Sequence, residues 1–243
     1  MGKAAQFTLP FIKRKKVAKD TYAFYFKRNG EFDDFIPGQY LRMHLPHKDV
    51  DDRGTTRYFT IASSPHIKDL VMFTIRIFDS SFKRALYNLQ QGDLVEFFGP
   101  MGWFLLPKHE GMEKVFLAGG IGVTPFHSLL HFLEDQHTTP PITLFVSFKT
   151  KKEMVFYEEL QRITKNNKQI RVIYTLTQEI GDDNWSGETG RISDAMLKKY
   201  LSNITKPMFY IVGSPKMVAG TRAMLLELGT DEEKIEIEDF TGY

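Results

Sequence analysis

The segment KVFLAGGIGVTPFHSLLHFL, residues 114–133, decides the fold because its character changes in the middle. Residues 115–133 contain no Asp, Glu, Lys or Arg, and an unbroken apolar run of about 20 residues would indicate a membrane-spanning helix. This run is broken by Gly119, Gly120, Gly122 and Pro125. Such residues favour a buried strand, a tight turn and a helix starting at Pro125. We therefore expect no integral membrane span.

Downstream of this segment, short apolar strands alternate with amphipathic helices. The expected strands are KVFLAGG, ITLFVSF, IRVIYTL, MFYIVGSP and KIEIEDF. Strands separated by helices in this way indicate right-handed βαβ units that build a parallel sheet. The sequence therefore predicts an α/β domain with a five-stranded parallel sheet.

Upstream, the first hundred residues have the period of antiparallel strands. In YLRMHLP the apolar Leu41, Met43 and Leu45 alternate with other residues, and LVMFTIRIF has the same rhythm. Turn sequences such as IPGQY and QQGDL separate the runs. This pattern predicts an antiparallel β-barrel. One short helix interrupts it at SSFKRALYNLQQG, with Ser80 or Ser81 as its cap and Gly92 as its end.

Length and composition limit the organisation and the partners. The 243 residues suffice for one large or two modest domains, and the change of rhythm near residues 106–114 predicts two, over residues 1–108 and 114–243. The net charge of +2 gives no overall attraction to nucleic acid. The chain has no cysteine, which excludes disulfides and cysteine-ligated iron–sulfur clusters within it. The first residues do not resemble a secretory signal, so we expect a cytoplasmic protein. We also expect a monomer.

Two glycine-containing loops are candidates for nucleotide binding. AGGIGVTP, residues 118–125, follows the first parallel strand, and YIVGSPKMV, residues 210–218, contains the fourth. Free N–H groups at a strand-to-helix turn favour phosphate, although a plain tight turn would look the same. The first loop does not match the common G-x-G-x-x-G fingerprint. Because ligands of open α/β sheets bind at the carboxyl ends of strands, we expect both loops to line one crevice.

A family resemblance joins these features. The motifs RYFT, PGQY, SSFKRAL, GPMGWF, GGIGVTP, GSPKM and EDFTGY occur in order along nearly the whole chain and resemble the ferredoxin–NADP reductase superfamily. The resemblance implies a barrel that holds FAD and an α/β domain that holds NADH or NADPH. It also implies hydride transfer from nicotinamide to flavin, followed by electron transfer to an external carrier such as ferredoxin or flavodoxin, or to a small molecule.

The resemblance assigns expected roles around the flavin. Arg57 would bind the FAD pyrophosphate, where a guanidinium fork suits phosphate oxygens. Phe59 replaces the usual tyrosine and would stack on the isoalloxazine, while Thr60 would lie near flavin N5. Tyr58 would supply a hydroxyl, although on a strand it points to the opposite face from its neighbours. Backbone N–H groups at the start of the short helix would wrap the pyrophosphate: Ser81, Phe82 and Lys83.

Around the nucleotide, the resemblance assigns the two glycine loops and the end of the chain. Glu238 is expected near the nicotinamide and Phe240 against the flavin face, from which it would move during turnover. Val212 stands where many members have cysteine. The remaining nucleotide contacts are expected from Gly120, Gly122, Thr124, Gly213, Pro215 and Met217.

Several alternatives stay open at this level. A flavin or ferric-chelate reductase would release its flavin as a product, and a nucleotide-binding regulator would lack enzymatic activity. NADPH against NADH is undecided, with Lys149, Lys151, Lys152 and Arg191 as available cations. His127 and His131 have metal-ligand spacing but lack the glutamate of H-E-x-x-H, so we expect packing histidines and no metal site.

Overall fold

The computed structural model describes residues 4–32, 34–104, 111–134, 140–179 and 184–240. These residues fall into two compact units. The first comprises Met1–Leu106 with Thr124–Phe132, and the second comprises Pro107–Val123 with Leu133–Tyr243. The predicted boundary between residues 108 and 114 stays a prediction, because residues 105–110 lie outside the described ranges.

The first unit contains a six-stranded antiparallel sheet, with the strand order β4-β3-β6-β1-β2-β5. Its edge strands approach each other just beyond β4, where the Ala62 N–H donates to the Met72 carbonyl at 2.8 Å. This contact brings the two edges together, and the predicted antiparallel barrel is confirmed. The strands are β1 Ala5–Ala18, β2 Thr21–Lys27, β3 Tyr40–His44, β4 Thr56–Thr60, β5 Leu70–Arg76 and β6 Leu94–Met101.

Aromatic rings fill the inside of the barrel. Phe73 and Phe97 stack with their centroids 5.6 Å apart, and Phe26 meets both rings edge-on. All three side chains are essentially inaccessible to solvent. Burial of such a ring contributes about 1.5–3 kcal/mol, so this cluster is a principal source of stability for the first unit.

The predicted short helix, α1, spans Ser81–Tyr87 between β5 and β6. Ser80 is its cap, because the Ser80 hydroxyl accepts a hydrogen bond from the Lys83 N–H. The helix ends at Tyr87, earlier than the predicted stop at Gly92, and the turn that follows carries Gly92 with a φ of +93°. Because Phe82 and Leu86 are fully buried, α1 has a fixed orientation on the barrel.

The apolar segment that decides the fold divides as predicted into strand, turn and helix. β7, Lys114–Gly119, leads into a 3-10 turn at Gly120–Val123 and then into α2, Thr124–Glu134. His127 Nδ1 donates to the Ala62 carbonyl at 2.7 Å, and Ser128 Oγ donates to the Ser63 carbonyl at 2.6 Å. His127 therefore fastens α2 to the residues that follow β4. Among the described residues, no helix is long and apolar enough to cross a membrane.

The second unit contains a parallel sheet with the strand order β10-β9-β8-β7-β11-β12. The prediction of five strands is wrong: there are six, because β10, Glu188–Thr189, pairs with β9. Two residues are too few to produce a hydrophobic period in the sequence. The other strands are β8 Ile142–Phe148, β9 Ile170–Leu176, β11 Met208–Gly213 and β12 Ile235–Asp239, and the helices are α3 Tyr157–Asn166, α4 Asp194–Tyr200 and α5 Pro215–Glu227.

The strand order fixes where a ligand can approach this sheet. β7 lies at its centre, with β8 on one side and β11 on the other. From β7 the chain first adds β8 and β9 on one side of β7, and it later adds β11 and β12 on the other side. The segment that follows β7 and the segment that follows β11 therefore lie on opposite faces of the sheet. A crevice forms outside the carboxyl ends of strands at such a switch point. Both predicted glycine loops follow these two strands.

Candidate functional site

A cluster of buried cations lies in the first unit. Arg57, on β4, and Lys83, in the first turn of α1, have side chains largely shielded from solvent. Burial, and after it the positive charges of the neighbouring arginines, lower the pKa of Lys83 to about 8. Two cations that are largely shielded from water, with further arginines beside them, attract an anion. The neighbouring arginines are Arg57, Arg53 and Arg76.

The Arg57 guanidinium is oriented by the backbone and has one donor group left over. Its Nη1 donates to the carbonyls of Arg53 at 2.6 Å and Thr56 at 2.7 Å. Its Nη2 is buried and makes no hydrogen bond to any described residue, and Asp51 Oδ1 lies 3.6 Å away. An unsatisfied buried donor on a fixed cation is poised to bind phosphate oxygens.

Asp51 is the acidic member of the cluster, and it holds two of its neighbours. Arg53 Nη2 donates to Asp51 Oδ2 at 2.7 Å, and the Ser81 N–H donates to the same oxygen at 2.9 Å. These hydrogen bonds, that from Arg53 first, hold the pKa of Asp51 well below its usual range. Asp51 therefore stays ionised and ties the loop before β4 to the start of α1.

The backbone N–H groups at the start of α1, which were expected to bind the pyrophosphate, are partly occupied by contacts within the protein. The Ser81 N–H binds Asp51 and the Lys83 N–H binds the Ser80 hydroxyl, while Phe82 precedes the first intrahelical bond, from Arg84 N to Ser80 O. Two of the three N–H groups thus already have acceptors within the protein. What sequence reasoning missed is the Lys83 side chain, which the helix turns toward the arginines.

The aromatic residues of β4 separate by face. Phe59 and Arg57 share one face, where both contact Phe82: the ring centroids of Phe59 and Phe82 are 6.0 Å apart, and Arg57 Cζ lies 5.2 Å from the Phe82 ring. Tyr58 is 63% exposed and meets Tyr40 edge-on at 5.8 Å. The Tyr58 hydroxyl therefore points away from the face that carries Arg57, as strand alternation requires. Thr60, the last residue of β4, pairs with Tyr40 on β3.

In the second unit, the first glycine loop packs closely because its glycines have no Cβ. A Cβ on Gly122 would lie 2.5 Å from the Val212 carbonyl oxygen, and a Cβ on Gly119 would lie 2.2 Å from Met217 Sδ. Gly120 has a φ of +55°, and a Cβ there would meet no atom within 4 Å. Gly119 and Gly122 thus let the loop pack against β11 and α5, while Gly120 faces open space that a ligand can enter.

The second glycine loop adjoins the first. Ala118 on β7 pairs with Val212 on β11, so the two strands end side by side. A Cβ on Gly213 would lie 2.7 Å from Met217 Sδ, the same atom that approaches Gly119. The structure therefore brings both predicted loops to one edge of the parallel sheet. Thr124 and Pro215, also predicted to contact the nucleotide, are the first residues of α2 and α5.

A buried carboxyl group lies at the same edge. Glu238 on β12 pairs with Val212, and its Oε2 is buried without a hydrogen bond to any described residue. Burial raises the pKa of Glu238 to about 7. The next residue but one, Phe240, donates its N–H to the Gly213 carbonyl at 3.0 Å, which holds the Phe240 backbone beside the second loop. Residues 241–243 lie outside the described ranges.

The donor set of the first unit fits a flavin nucleotide. The left-over Arg57 donor and the Lys83 ammonium offer two cations to phosphate, and Phe59 offers an apolar ring on the same face as Arg57. In the second unit, the open space at Gly120 and the adjoining glycine loop fit a dinucleotide phosphate.

Comparison with known proteins agrees with both units. Residues 8–105 match the family model of the oxidoreductase FAD-binding domain, and residues 116–223 match that of the oxidoreductase NAD-binding domain. In Klebsiella pneumoniae, one component of the Na(+)-translocating NADH-quinone reductase is 30% identical over 202 residues, which cover 77% of this chain and 49% of that protein. The corresponding protein of Pseudoalteromonas atlantica is 27% identical over 254 residues, covering 88% and 62%. The chain thus spans about half to two thirds of the length of these relatives.

Solved structures share the fold over nearly the whole chain. Amycolatopsis cytochrome P450 reductase superposes with a TM-score of 0.85 at 20% identity, covering 98% of this chain and 70% of that chain. A ferredoxin–NADP+ reductase from Neisseria gonorrhoeae with bound FAD and NADP gives a TM-score of 0.81 at 22% identity, covering 98% and 100%. With both domain families matched in order, the chain belongs to the oxidoreductases that combine an FAD-binding domain with an NAD-binding domain, and it has the two-domain fold of these reductases.

Proposed function

We propose that this chain takes a hydride from NADH onto FAD and passes the electrons to an external acceptor. The observation that carries the proposal is the combination, in one chain, of a cation cluster with a left-over Arg57 donor and a glycine loop beside a buried carboxyl group. The first suits a flavin pyrophosphate and the second suits a nicotinamide dinucleotide. FAD, when bound, supplies hydride acceptance and the release of electrons singly or in pairs.

On the flavin side, the proposed roles follow the geometry of β4 and α1. Arg57 binds the pyrophosphate through Nη2, since Nη1 is held by backbone carbonyls. Phe59 packs against the isoalloxazine from the same face, and Thr60 lies near flavin N5. Tyr58 faces the other side of the strand, so a Tyr58 contact to the ribityl chain has no support from its direction. Ser81, Phe82 and Lys83 flank the pyrophosphate from α1.

On the nucleotide side, the two glycine loops bind the dinucleotide through backbone groups. The proposed contacts are Gly120, Gly122, Thr124, Gly213, Pro215 and Met217. Glu238 is placed next to Val212 and is proposed to lie beside the nicotinamide. Its raised pKa, about 7, means that this carboxyl gains or loses a proton near neutral pH. Phe240 is proposed to cover the flavin face and to move aside for the nicotinamide.

The preference for NADH rests on the end of β8 and on the relatives. The Lys151 N–H donates to Glu179 Oε2 at 2.8 Å, which places a carboxylate just after this second strand of the βαβ unit. A carboxylate in this part of a dinucleotide site accepts hydrogen bonds from ribose hydroxyls and repels a 2′-phosphate. The relatives named above are NADH-quinone reductase components, which supports the same choice.

The acceptor is proposed to be external. The 243 residues contain no cysteine, so no cysteine-ligated cluster within them can serve as the next carrier. Ferredoxin and flavodoxin are the candidate protein carriers, and the names of the relatives add a quinone. A cytoplasmic location and a monomeric state stay predictions from the sequence.

Stopped-flow spectroscopy under anaerobic conditions tests the proposal. Loss of the flavin absorption at about 450 nm should be faster with NADH than with NADPH, and reoxidation by ferredoxin, flavodoxin and a quinone analogue should rank the acceptors. No bleaching of bound FAD by either nucleotide would favour the nucleotide-binding regulator. A colourless protein after desalting that still reduces added flavin would favour the flavin reductase.

A further inference from the structure

The hairpin that β1 forms with β2 concentrates positive charge in the first unit. Residues 11–26 form this basic hairpin, which contains five cations and one acidic residue, Asp20. The hairpin has a formal charge of +4, so the remaining residues carry −2 in a chain whose net charge is +2. The charge is therefore unevenly distributed although its total is small. The five cations are Lys13, Arg14, Lys15, Lys16 and Lys19.

The lysines of the basic hairpin lack the acidic partners that other lysines have. All four are exposed, and none of them forms an ion pair with any described residue: Lys13, Lys15, Lys16 and Lys19. Elsewhere in the chain, four lysines each pair with a carboxylate: Lys68, Lys198, Lys199 and Lys234. The positive charge of the basic hairpin is thus left for a partner outside the described residues.

The cations lie on both faces of the hairpin. Because successive side chains of a strand point to opposite faces, Lys15 shares the face of Lys13, whereas Arg14 and Lys16 point the other way. The pairing of β1 with β6 ends at Pro10, and from Lys13 onward β1 pairs with β2 alone. The cations therefore surround a two-stranded ribbon whose second edge has no strand partner.

An exposed leucine lies on the same face as Lys13. Leu94, the first residue of β6, is 70% exposed and lies opposite Pro10 on β1. The neighbouring Phe11 is buried in the barrel, so Pro10 and Leu94 point outward. The register shift after Phe11 places Lys13 opposite Tyr25, the residue before the buried partner of Phe11, so Lys13 points outward as well. One face thus combines a strongly exposed apolar side chain with unpaired lysines.

We propose that the basic hairpin, with Leu94 beside it, docks this protein on the surface of a membrane that contains anionic lipids. Each Lys or Arg close to such a surface increases the affinity by about fivefold, provided that it lies within a Debye length. Leu94 enters the layer of headgroups, where an apolar side chain adds to the binding. The negative charge of the remaining residues turns the hairpin toward the surface. This docking does not depend on the reaction proposed above.

A lipid surface fits the basic hairpin better than an acidic protein does. A protein interface needs a packed centre of apolar and aromatic side chains, with charged groups at its rim. The basic hairpin instead presents lysines, with Leu94 as the large apolar side chain that is strongly exposed beside them. A fluid layer of headgroups needs no matching shape and can contact cations on both faces of a ribbon.

Co-sedimentation of the full chain with sucrose-loaded vesicles measures the docking. Phosphatidylcholine vesicles with about one third phosphatidylglycerol should bind wild type at about 0.1 M salt and release most of it at about 0.5 M. Pure phosphatidylcholine should bind none. The triple variant Lys13→Glu/Lys15→Glu/Lys16→Glu should bind at least about 100-fold more weakly, and Leu94→Ser about 5- to 10-fold more weakly.

The matched control reverses three exposed lysines of the second unit, Lys165→Glu/Lys168→Glu/Lys206→Glu. This variant has the same net charge as the hairpin variant, and its affinity for anionic vesicles should stay within about threefold of wild type. An equal loss in both triple variants would show that net charge, and not the hairpin, drives the binding, and would overturn the proposal. Thermal unfolding checks that each variant remains folded, which we expect because all the substituted side chains are exposed.

The other outcomes are equally decisive. Absence of binding to anionic vesicles would overturn the proposal and leave the lysines as protection of a strand edge against pairing. If wild type also bound an acidic protein such as ferredoxin, and the hairpin variant did not, the basic hairpin would be a protein-docking surface. Equal binding to neutral and anionic vesicles would overturn the role of the charges.

Discussion

The two units build their candidate sites in opposite ways. In the first unit, charged side chains converge: Arg57 is held by backbone carbonyls with one donor left over, and Lys83 is buried beside it. In the second, side chains are missing: Gly119, Gly122 and Gly213 allow backbone and Met217 to approach within distances that a Cβ forbids. Substitutions in the first site should therefore reduce ligand binding with little loss of stability. Substitutions in the second site should reduce stability as well, because its glycines are part of the packing of the sheet.

The largest expected effect breaks the second site through its packing. In Gly122→Ala the new Cβ would lie 2.5 Å from the Val212 carbonyl oxygen. Because the atoms that it would meet all belong to the backbone, they cannot move aside as a flexible side chain could. We expect a loss of at least about 2–3 kcal/mol in the free energy of unfolding, measured by urea denaturation, together with loss of NADH binding.

Gly220→Ala is the matched control. Gly220 lies within α5, and a Cβ there would meet no atom within 4 Å. We expect a gain of about 0.5–1 kcal/mol, because alanine favours the helix. Equal stability of Gly122→Ala and wild type would refute the close-packing account of the loop.

The next effect tests whether the first site can be changed with little loss of stability. Arg57→Ala removes the left-over donor and should weaken FAD binding about 10- to 100-fold, measured by fluorescence titration. It also removes the bonds of Nη1 to backbone carbonyls, so the flavin-free protein should lose only about 1 kcal/mol of stability. Arg84→Ala, which removes an exposed cation paired with Asp79, is the control and should leave FAD affinity unchanged. Parallel losses of affinity and stability would make Arg57 a structural residue.

A third prediction concerns Glu238, whose Oε2 is buried at the second site. Its folded pKa, about 7, lies above the ordinary value of 4.5, so the folded state binds the proton more tightly than the unfolded state. The protonated Glu238 carboxyl therefore stabilises the fold relative to the ionised carboxylate. This contribution is fully present below about pH 4.5 and is lost as the pH rises through about 7. Between about pH 5.5 and 8 the loss should be about 2 kcal/mol.

Urea unfolding at several pH values compares wild type with Glu238→Gln. The variant, which has no titrating group at this position, should show a shallower decline of stability over the same range. If both proteins decline in parallel, Glu238 titrates near its ordinary value and the description of the carboxyl as unsatisfied is wrong.

The smallest effect distinguishes the two faces of β4. Tyr58→Phe removes a hydroxyl that points away from Arg57, so FAD affinity should change by less than about twofold, equivalent to about 0.4 kcal/mol. Phe59→Ala removes the ring that contacts Phe82 and should weaken binding clearly more. A larger effect for Tyr58→Phe than for Phe59→Ala, both in fluorescence titration, would show that the flavin contacts the opposite face.

Much of the fold was predictable, and the failures have local causes. The change of period at residues 114–133 predicted the strand, turn and helix that the structure contains, since burial imposes a period on any element long enough to show it. The sixth parallel strand, Glu188–Thr189, was missed because two residues cannot show a period. α1 ended before Gly92 because the C-terminal turn is set by packing as well as by glycine.

For the candidate sites, the sequence alone determined which residue types are present and in which order. It predicted a barrel followed by a parallel sheet, placed glycines after two parallel strands, and placed Arg57 and Phe59 on one face of a strand through their spacing of two. Each of these conclusions depends on local periodicity or turn chemistry, which neighbouring residues impose without help from the rest of the chain.

Only the tertiary structure decided which groups are left without partners. It turned the Lys83 side chain toward the arginines, gave the Ser81 N–H to Asp51, left one Arg57 donor free of hydrogen bonds among the described residues, and buried the Glu238 carboxyl. Burial and electrostatic surroundings arise from segments far apart in sequence, so local patterns carry no record of them.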